Sequence, residues 1–326
     1  MSYRIITTDP PQDTVRHLTF VPFLPDGRCV ALPGPRLAAG EVAPGEHYLL
    51  DSSLRIPLET LGYRRQRVHP FAADGDRLYI WLDGDRYTGR RPHATIDPVV
   101  DSAEALAARL DPVAARAVLD GAAAYRDQSD ADYYAGNTRL LEPAYLLGRT
   151  PQEGSGFGGD AAQWRARRSM IVDGIDRDGT FLDIGCANGL LMESVRDWAA
   201  ERGYAIEPYG VDIAPRLVEL ARSRLPHWAG RIEVGNGIDY APGRRFTFVH
   251  TLLDAVPVAR RADLIRHALA VLVEPGGRLL VSHYKSAAGT DPTAAEHLRQ
   301  LGFPVTGSSA EAGGGTGATT AWIVAT

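Results

Sequence analysis

The chain has 326 residues, of which 44% are hydrophobic and 23% charged, and this length predicts two domains rather than one core. The formal net charge is −5, and acidic and basic residues are mixed along both halves. Because no basic stripe is formed, nucleic acid is not favoured as a partner.

Two cysteines, Cys29 and Cys186, lie far apart in the sequence. They exclude a disulfide framework, suggest no thiolate metal site and are typical of reduced thiols. The first residues contain no apolar signal core, and no apolar run approaches membrane-spanning length. We therefore expect a cytoplasmic protein that does not associate with a membrane.

The first predicted domain covers residues 1–127 and has an α+β pattern. Its strand-like segments read "HLTFVPFLP", "RCVALPG" and "DRLYIWLDGD", with turn residues between them. The segment "HYLLDSSLRIPLETLGY" is ambiguous, because Pro57 fits poorly inside a helix. Two segments with helical spacing follow, "SAEALAARL" and "VAARAVLDGAAAYRD".

Residues 128–159 differ in character from the segments on either side. They contain "DADYYAGNTRLLEPAYLLG" followed by the glycine- and serine-rich "TPQEGSGFGGD". This composition predicts a mobile linker that also acts as an active-site lid. A plain solvated connector is the alternative.

Residues 160–326 alternate between helical and strand-like segments. Such alternation predicts βαβ units, that is, a doubly wound parallel sheet with helices on both faces. The second domain is therefore predicted to be α/β.

A small polar corner interrupts this domain at "GTFLDIGCANGLLM". Gly185 and Gly189 lack a Cβ, so a ligand can approach the backbone closely at the start of the next helix. The acid before them, Asp183, argues against a phosphate and favours a cation such as an ammonium group. We call residues 185–189 the glycine corner.

Polar residues also follow the next two predicted strands, in "YGVDI" and "VGNGID". Asp212 is placed to bind both hydroxyls of a ribose, and Asn236 to meet the edge of an adenine. Together with Asp183 they suit a ligand that carries ammonium, ribose and adenine but no phosphate. The alternative is structural, with the two acids as helix caps and the glycines in tight turns.

Four motifs in this order resemble the class I S-adenosylmethionine-dependent methyltransferases. They are "FLDIGCANG", "YGVDIAPRLVELAR", "VGNGID" and "LAVLVEPGGRLLV", and the resemblance covers about residues 160–326. It implies a seven-stranded, Rossmann-like methyltransferase sheet of order 3-2-1-4-5-7-6 with strand seven antiparallel.

The resemblance also implies the cofactor, S-adenosyl-L-methionine, and no metal. Asp183 would hold its amino group, the glycine corner would line methionine and ribose, and Asp212 would bind the ribose hydroxyls. The adenine would meet Ile213. An aromatic cage from Tyr133, Tyr134, Phe157 and Trp164 would surround the sulfonium and the acceptor, unless these rings are core residues. The predicted cofactor-binding residues are Asp183, Gly185, Cys186, Ala187, Asn188, Gly189, Asp212, Ile213, Asn236, Gly237, Thr251, Trp164 and Arg168.

The residues after the fourth and fifth predicted strands of the second domain indicate the class of methyl acceptor. The segment "HTLLDAVP" lacks the signatures of enzymes that methylate adenine or cytosine bases, so a small-molecule acceptor is predicted. The candidate general bases are His250, Asp254, His283 and Tyr284. The alternatives are that His250 points into the sheet, Tyr284 packs against a helix and Asp254 caps a segment.

The first domain resembles a degenerate Nudix domain. Gly40 and Glu46 match the start of the Nudix box and Glu59 a later glutamate, but Pro57 and Thr60 depart from it. Because divalent cations need several oxygen ligands, we expect this domain to be non-hydrolytic. It would recognise a substrate, pair two chains in a homodimer or only support the second domain.

Two alternatives to methyl transfer stay open. The first is nucleoside-diphosphate pyrophosphatase activity of the Nudix type, alone or combined with methyl transfer. The second is a non-catalytic module that binds the cofactor.

Overall fold

The computed structural model describes residues 3–6, 10–24, 26–34, 36–43, 57–63, 68–82, 84, 87, 97–284, 292–311 and 318–326. The chain folds as two compact units, Met1–Leu140 and Leu141–Thr326. Within the described ranges, no helix has both the length and the apolar character that crossing a membrane requires.

The first unit combines a mixed β-sheet with helices that follow it in the chain. Five of its strands form a sheet of order β1-β5-β6-β2-β4, and β3 pairs with β7. Its strands are β1 (Arg4–Ile5), β2 (His17–Pro22), β3 (Cys29–Ala31), β4 (Ala38–Glu41), β5 (Val68–Asp74), β6 (Arg77–Leu82) and β7 (Val99–Asp101). The three strand-like segments predicted from the sequence correspond to β2, β3 and β6.

Helices α1 (Ala103–Ala107) and α2 (Pro112–Arg126) confirm the two predicted helical segments. The Asp111 carboxylate caps α2 by accepting hydrogen bonds from two backbone N–H groups at 3.0 Å each. Residues 57–61 are helical. Gly40 lies in β4, but residues 44–56 of the Nudix-like box, with Glu46, lie outside the described residues, so the Nudix resemblance stays a prediction.

Helix α3 (Asp130–Leu146) occupies much of the segment predicted as linker and lid, and the division between the two units falls inside it. The remaining helices are α4 (Ala161–Arg168), α5 (Leu190–Ala200), α6 (Pro215–Arg224), α7 (Arg261–His267) and α8 (Ala294–Gln300). Capping boxes at Asp160 and Thr293 begin α4 and α8.

The second unit contains a seven-stranded sheet. Its strands are β8 (Gly179–Ile184), β9 (Ile206–Asp212), β10 (Ile232–Val234), β11 (Phe246–Leu252), β12 (Val273–Tyr284), β13 (Gly307–Ala310) and β14 (Ala318–Val324). Their order is β10-β9-β8-β11-β12-β14-β13, and β14 is antiparallel to both of its neighbours. This is the order 3-2-1-4-5-7-6 with the seventh strand reversed, so the second unit has the class I methyltransferase fold.

The two faces of this sheet bury different side chains, because successive residues of a strand point to opposite sides. On one face Phe181, Phe248 and Leu280 pack with residues of α4 and α5. On the other face the neighbouring residues, such as Leu182 and Val249, pack with α7 and α8. Candidate site residues on the strands can therefore contact one another only if their side chains lie on the same face of the sheet.

Candidate cofactor site

The glycine corner connects β8 to α5 and has an open side. Gly185 and Gly189 adopt φ angles of +83° and +78°. A Cβ added at Gly185 would have no described atom within 4 Å, so the space beside this residue is open. Ala187 also has a positive φ, 48°, which costs an alanine about 1–2 kcal/mol.

Asp212, at the end of β9, holds the glycine corner in place. Its Oδ2 accepts a hydrogen bond from the Ala187 backbone N–H at 2.8 Å, and its Oδ1 accepts one from Ala214 at 2.9 Å. Burial raises the pKa of Asp212, while these two N–H donors counteract part of that shift. Each carboxylate oxygen has a further lone pair and can accept another hydrogen bond, for instance from a hydroxyl.

Asp183, at the end of β8, is the first member of a buried polar chain. Its Oδ1 lies 2.8 Å from His250 Nδ1, and His250 Nε2 lies 3.0 Å from Ser282 Oγ. Ser282 Oγ is in turn 2.8 Å from Thr320 Oγ1. We call these four buried residues, which lie on strands β8, β11, β12 and β14, the polar chain.

The polar chain has a defined direction of hydrogen bonding. A carboxylate only accepts, so His250 donates from Nδ1 to Asp183. In the neutral ring Nε2 then accepts from the Ser282 hydroxyl. His250 is 1% exposed and both of its ring nitrogens are engaged, so it would have to break one bond to take a proton from a substrate. His250 therefore points into the sheet, as one alternative predicted.

The other three candidate bases are distributed over the end of the sheet. His283 lies on the face of α8, where its ring centroid is 4.7 Å from that of His297. Asp254 lies in a short 3-10 turn, Leu253–Ala255, directly after β11. Tyr284 ends β12 on the same face as Ser282, and burial raises its pKa. The sequence did not predict this separation of His283 from His250.

Two residues of α4 were predicted to bind the cofactor. Trp164 is buried and its indole Nε1 donates a hydrogen bond to Ser194 Oγ at 3.0 Å. Arg168 is half-buried and stacks over the rings of Trp164 and Tyr284, 4.3 and 4.2 Å from their centroids. Of the proposed cage, Phe157 and Trp164 lie in the second unit and Tyr133 and Tyr134 in the first.

The remaining predicted cofactor residues lie around the ends of the strands. Ile213 is half-buried after β9, and the side chain of Asn236 accepts a hydrogen bond from the Ile238 N–H at 3.3 Å. Gly237 packs against Ile184, since an added Cβ would lie 2.3 Å from its Cγ2 atom. Thr251 and Cys186 are buried.

Asn188 connects the glycine corner to the segment that precedes α4. Its Nδ2 donates to the Pro151 carbonyl at 2.8 Å, and its Oδ1 accepts from the hydroxyl of Ser155. Tyr145 also packs against the buried cluster of Ala187, Ala214 and Leu217. Residues 145–155 are therefore joined to the corner that they were predicted to cover.

Several of these partners were missed by sequence analysis. Ser282 and Thr320 stand in otherwise apolar strands, "RLLVSHY" and "TTAWIVAT", and a polar residue facing the inside of such a strand was a usable signal. Ser155 carried no such signal, because it lies in a segment rich in small polar residues.

No protein-family model and no curated protein matches this sequence. Among solved structures, the chain is similar to the glycopeptide N-methyltransferase MtfA, with 19% identity and a TM-score of 0.41, covering 55% of this chain and 100% of that chain. A SAM-dependent methyltransferase from Aquifex aeolicus has 14% identity and a TM-score of 0.40, with the same coverages. The PH0226 protein from Pyrococcus horikoshii has 12% identity and a TM-score of 0.40, covering 52% of this chain and 93% of that chain.

These likenesses are weak, and each covers about half of this chain. The strand order of the second unit defines its fold, and the residues at its strand ends decide which ligands can bind there.

Proposed function

We propose that the protein transfers a methyl group from S-adenosyl-L-methionine to a small-molecule acceptor. One observation carries this proposal: Gly185, which has open space where a Cβ would be, directly follows the end of β8, and buried carboxylates, Asp183 and Asp212, stand at the ends of β8 and of the neighbouring parallel strand β9. Ligands of open α/β sheets bind at such strand ends. The one arginine that contacts the described corner, Arg224, is already bonded to the Asn188 carbonyl and to Glu193, both at 3.0 Å. Two acids beside the corner therefore favour a cation and disfavour a pyrophosphate.

The residues fit this cofactor in the following roles. Asp183 binds the ammonium group, and Asp212 accepts hydrogen bonds from the ribose hydroxyls with its remaining lone pairs. Gly185, without a side chain, lets the ligand lie against the backbone. Ile213 and Asn236, half-buried beyond β9 and β10, meet the adenine.

When bound, S-adenosylmethionine supplies an electrophilic methyl group. The protein then has to orient the acceptor in line with that group and to exclude water. His250 acts in this account by holding Asp183, while Tyr284 and Asp254, which lie nearer to the open strand ends, are the candidates for contact with the acceptor.

The first unit has no assigned activity in this proposal. Its helical residues 57–61 include Glu59, but no group of three or more potential metal ligands occurs in the described ranges of the chain. Thus nothing described there favours the pyrophosphatase alternative. Glu59→Gln should leave methyl transfer unchanged. If the wild-type protein released phosphate from nucleoside diphosphates in the presence of manganese and Glu59→Gln did not, the first unit would be a hydrolase.

The proposal is tested with methyl-labelled S-adenosylmethionine and a small-molecule extract of the source organism. We expect one labelled product by mass spectrometry, formed by the wild-type protein and not by Asp212→Ala. Binding of the cofactor without turnover on any extract would instead support the non-catalytic module.

A further inference from the structure

Arg168 is held by aromatic rings at the end of the sheet. Its guanidinium carbon lies 4.3 Å from the Trp164 ring centroid, 4.2 Å from Tyr284 and 5.0 Å from Phe157. Cation–π contact fixes the position of the guanidinium but satisfies none of its five N–H donors.

The side chain of Arg168 has no hydrogen-bond or ion-pair partner among the described residues. The other half-buried arginines of the second unit's described residues do have one; for example, Arg224 lies 3.0 Å from Glu193, and Arg278 donates to the Gly174 carbonyl at 2.8 Å. The N–H groups of Arg168 are therefore available to an acceptor on a bound ligand. A carboxylate supplies two, in the geometry of the guanidinium fork.

The place of this cation separates it from the cofactor corner. Tyr284 ends β12, which lies two strands from β8 in the sheet. Neighbouring strands are about 4.8 Å apart, so the end of β12 lies about 10 Å from the strand that carries Asp183. The glycine corner follows β8. Asp212 ends β9, which is the neighbour of β8 on the side away from β12.

We propose that Arg168 binds a carboxylate of the methyl acceptor, which makes the substrate a carboxylic acid. This inference rests on the proposed function, because that function makes the bound carboxylic acid a methyl acceptor. A single negative charge fits better than a phosphate dianion, because Asp183 and Asp254 both lie near enough to act on the Tyr284 hydroxyl. The aromatic rings around the guanidinium also offer apolar surface to the rest of the acid.

The test uses benzoate as the probe and benzamide as its neutral counterpart. Both are titrated into the full-length protein saturated with S-adenosylhomocysteine, and again without it, with binding followed by saturation-transfer NMR. We expect benzoate to bind and benzamide not to. Arg168→Gln should weaken benzoate binding at least tenfold and Arg168→Lys less, because lysine keeps the charge but loses the fork.

Arg167→Gln is the matched control, since Arg167 is exposed on the same helix and should leave benzoate binding unchanged. Equal binding of benzoate to wild type and Arg168→Gln overturns the proposal. A second result would also overturn it: Arg168→Gln weakens the binding of S-adenosylhomocysteine but not that of 5′-methylthioadenosine, which lacks the carboxylate. Arg168 would then bind the carboxylate of the cofactor. If benzoate bound but S-adenosylhomocysteine did not, the carboxylate site would be supported and the proposed function would be contradicted.

Discussion

The ends of strands β8 and β9 each present one buried carboxylate, but the protein holds the two by different means. Asp212 accepts two backbone N–H groups, from Ala187 and Ala214. Asp183 accepts the ring N–H of His250, which is 67 positions away and depends on Ser282 for its own second bond. A carboxylate held by backbone tolerates changes in neighbouring side chains, whereas one held by a chain of side chains depends on every member.

The difference also affects the protein around each acid. Asp212 compensates the unfavourable φ of Ala187, so it shapes the glycine corner as well as facing it. The polar chain joins four strands across one face of the sheet, so its loss exposes unpaired groups in the core.

The largest effect is expected from Asp212→Ala. This change removes the ribose ligand and leaves the Ala187 and Ala214 N–H groups unpaired, at about 1–3 kcal/mol each. We expect the affinity for S-adenosylhomocysteine to fall at least 100-fold in calorimetry while the far-UV circular dichroism of the fold is kept. Asp197→Ala, at an exposed acid of α5, is the control. Unchanged affinity in Asp212→Ala would contradict the assignment.

A smaller effect, which separates the two carboxylates, is expected at His250. The side-chain N–H of asparagine can occupy the position of His250 Nδ1 and still donate to Asp183. The side-chain N–H of glutamine occupies the position of Nε2 instead, so it cannot replace the bond to Asp183. His250→Asn should therefore keep the affinity for S-adenosylhomocysteine within threefold, and His250→Gln should weaken it about tenfold. Equal losses in the two variants would show that His250 does not act through Asp183.

The far end of the polar chain should affect stability more than binding. Ser282→Ala leaves His250 Nε2 unpaired, and Thr320→Val removes the partner of Ser282, each at a cost of about 1–3 kcal/mol in the free energy of unfolding. Urea denaturation measures this cost, and calorimetry should give cofactor affinities within threefold of wild type. A tenfold loss of affinity without a loss of stability would be inconsistent with a supporting role.

The smallest effect concerns the two cysteines. Burial raises the pKa of Cys29 to about 12 and holds that of Cys186 well above its ordinary value. A raised pKa keeps the thiol protonated until higher pH, so neither side chain is a nucleophilic thiolate at pH 8. We expect iodoacetamide to modify neither cysteine in the native protein and both in denaturant, as measured by mass spectrometry. Rapid native alkylation of Cys186 would mean that the glycine corner opens.

The sequence predicted those features that depend on neighbouring residues. The strand order was implied by the family resemblance of four ordered motifs, and the open approach to the backbone at Gly185 followed from its missing Cβ. Asp183 and Asp212 were found because each directly follows an apolar run.

Features that depend on distant residues were not predictable in this way. The bond between Asp183 and His250 needs the register of β8 against β11, and the one between Ser282 and Thr320 needs that of β12 against β14. The stacking of Arg168 on Tyr284 joins residues more than a hundred positions apart. The helix over Asp130–Leu146, within the segment 128–159 predicted as linker and lid, was not predicted either, because its tyrosines and Pro143 obscure the helical pattern.

The most direct measurement is a calorimetric titration of the wild-type protein with S-adenosylhomocysteine and, separately, with NAD. Two acids beside the open side of Gly185 predict saturable binding of the first, with one site per chain, and none of the second. Binding of NAD together with indifference to S-adenosylhomocysteine would contradict the account.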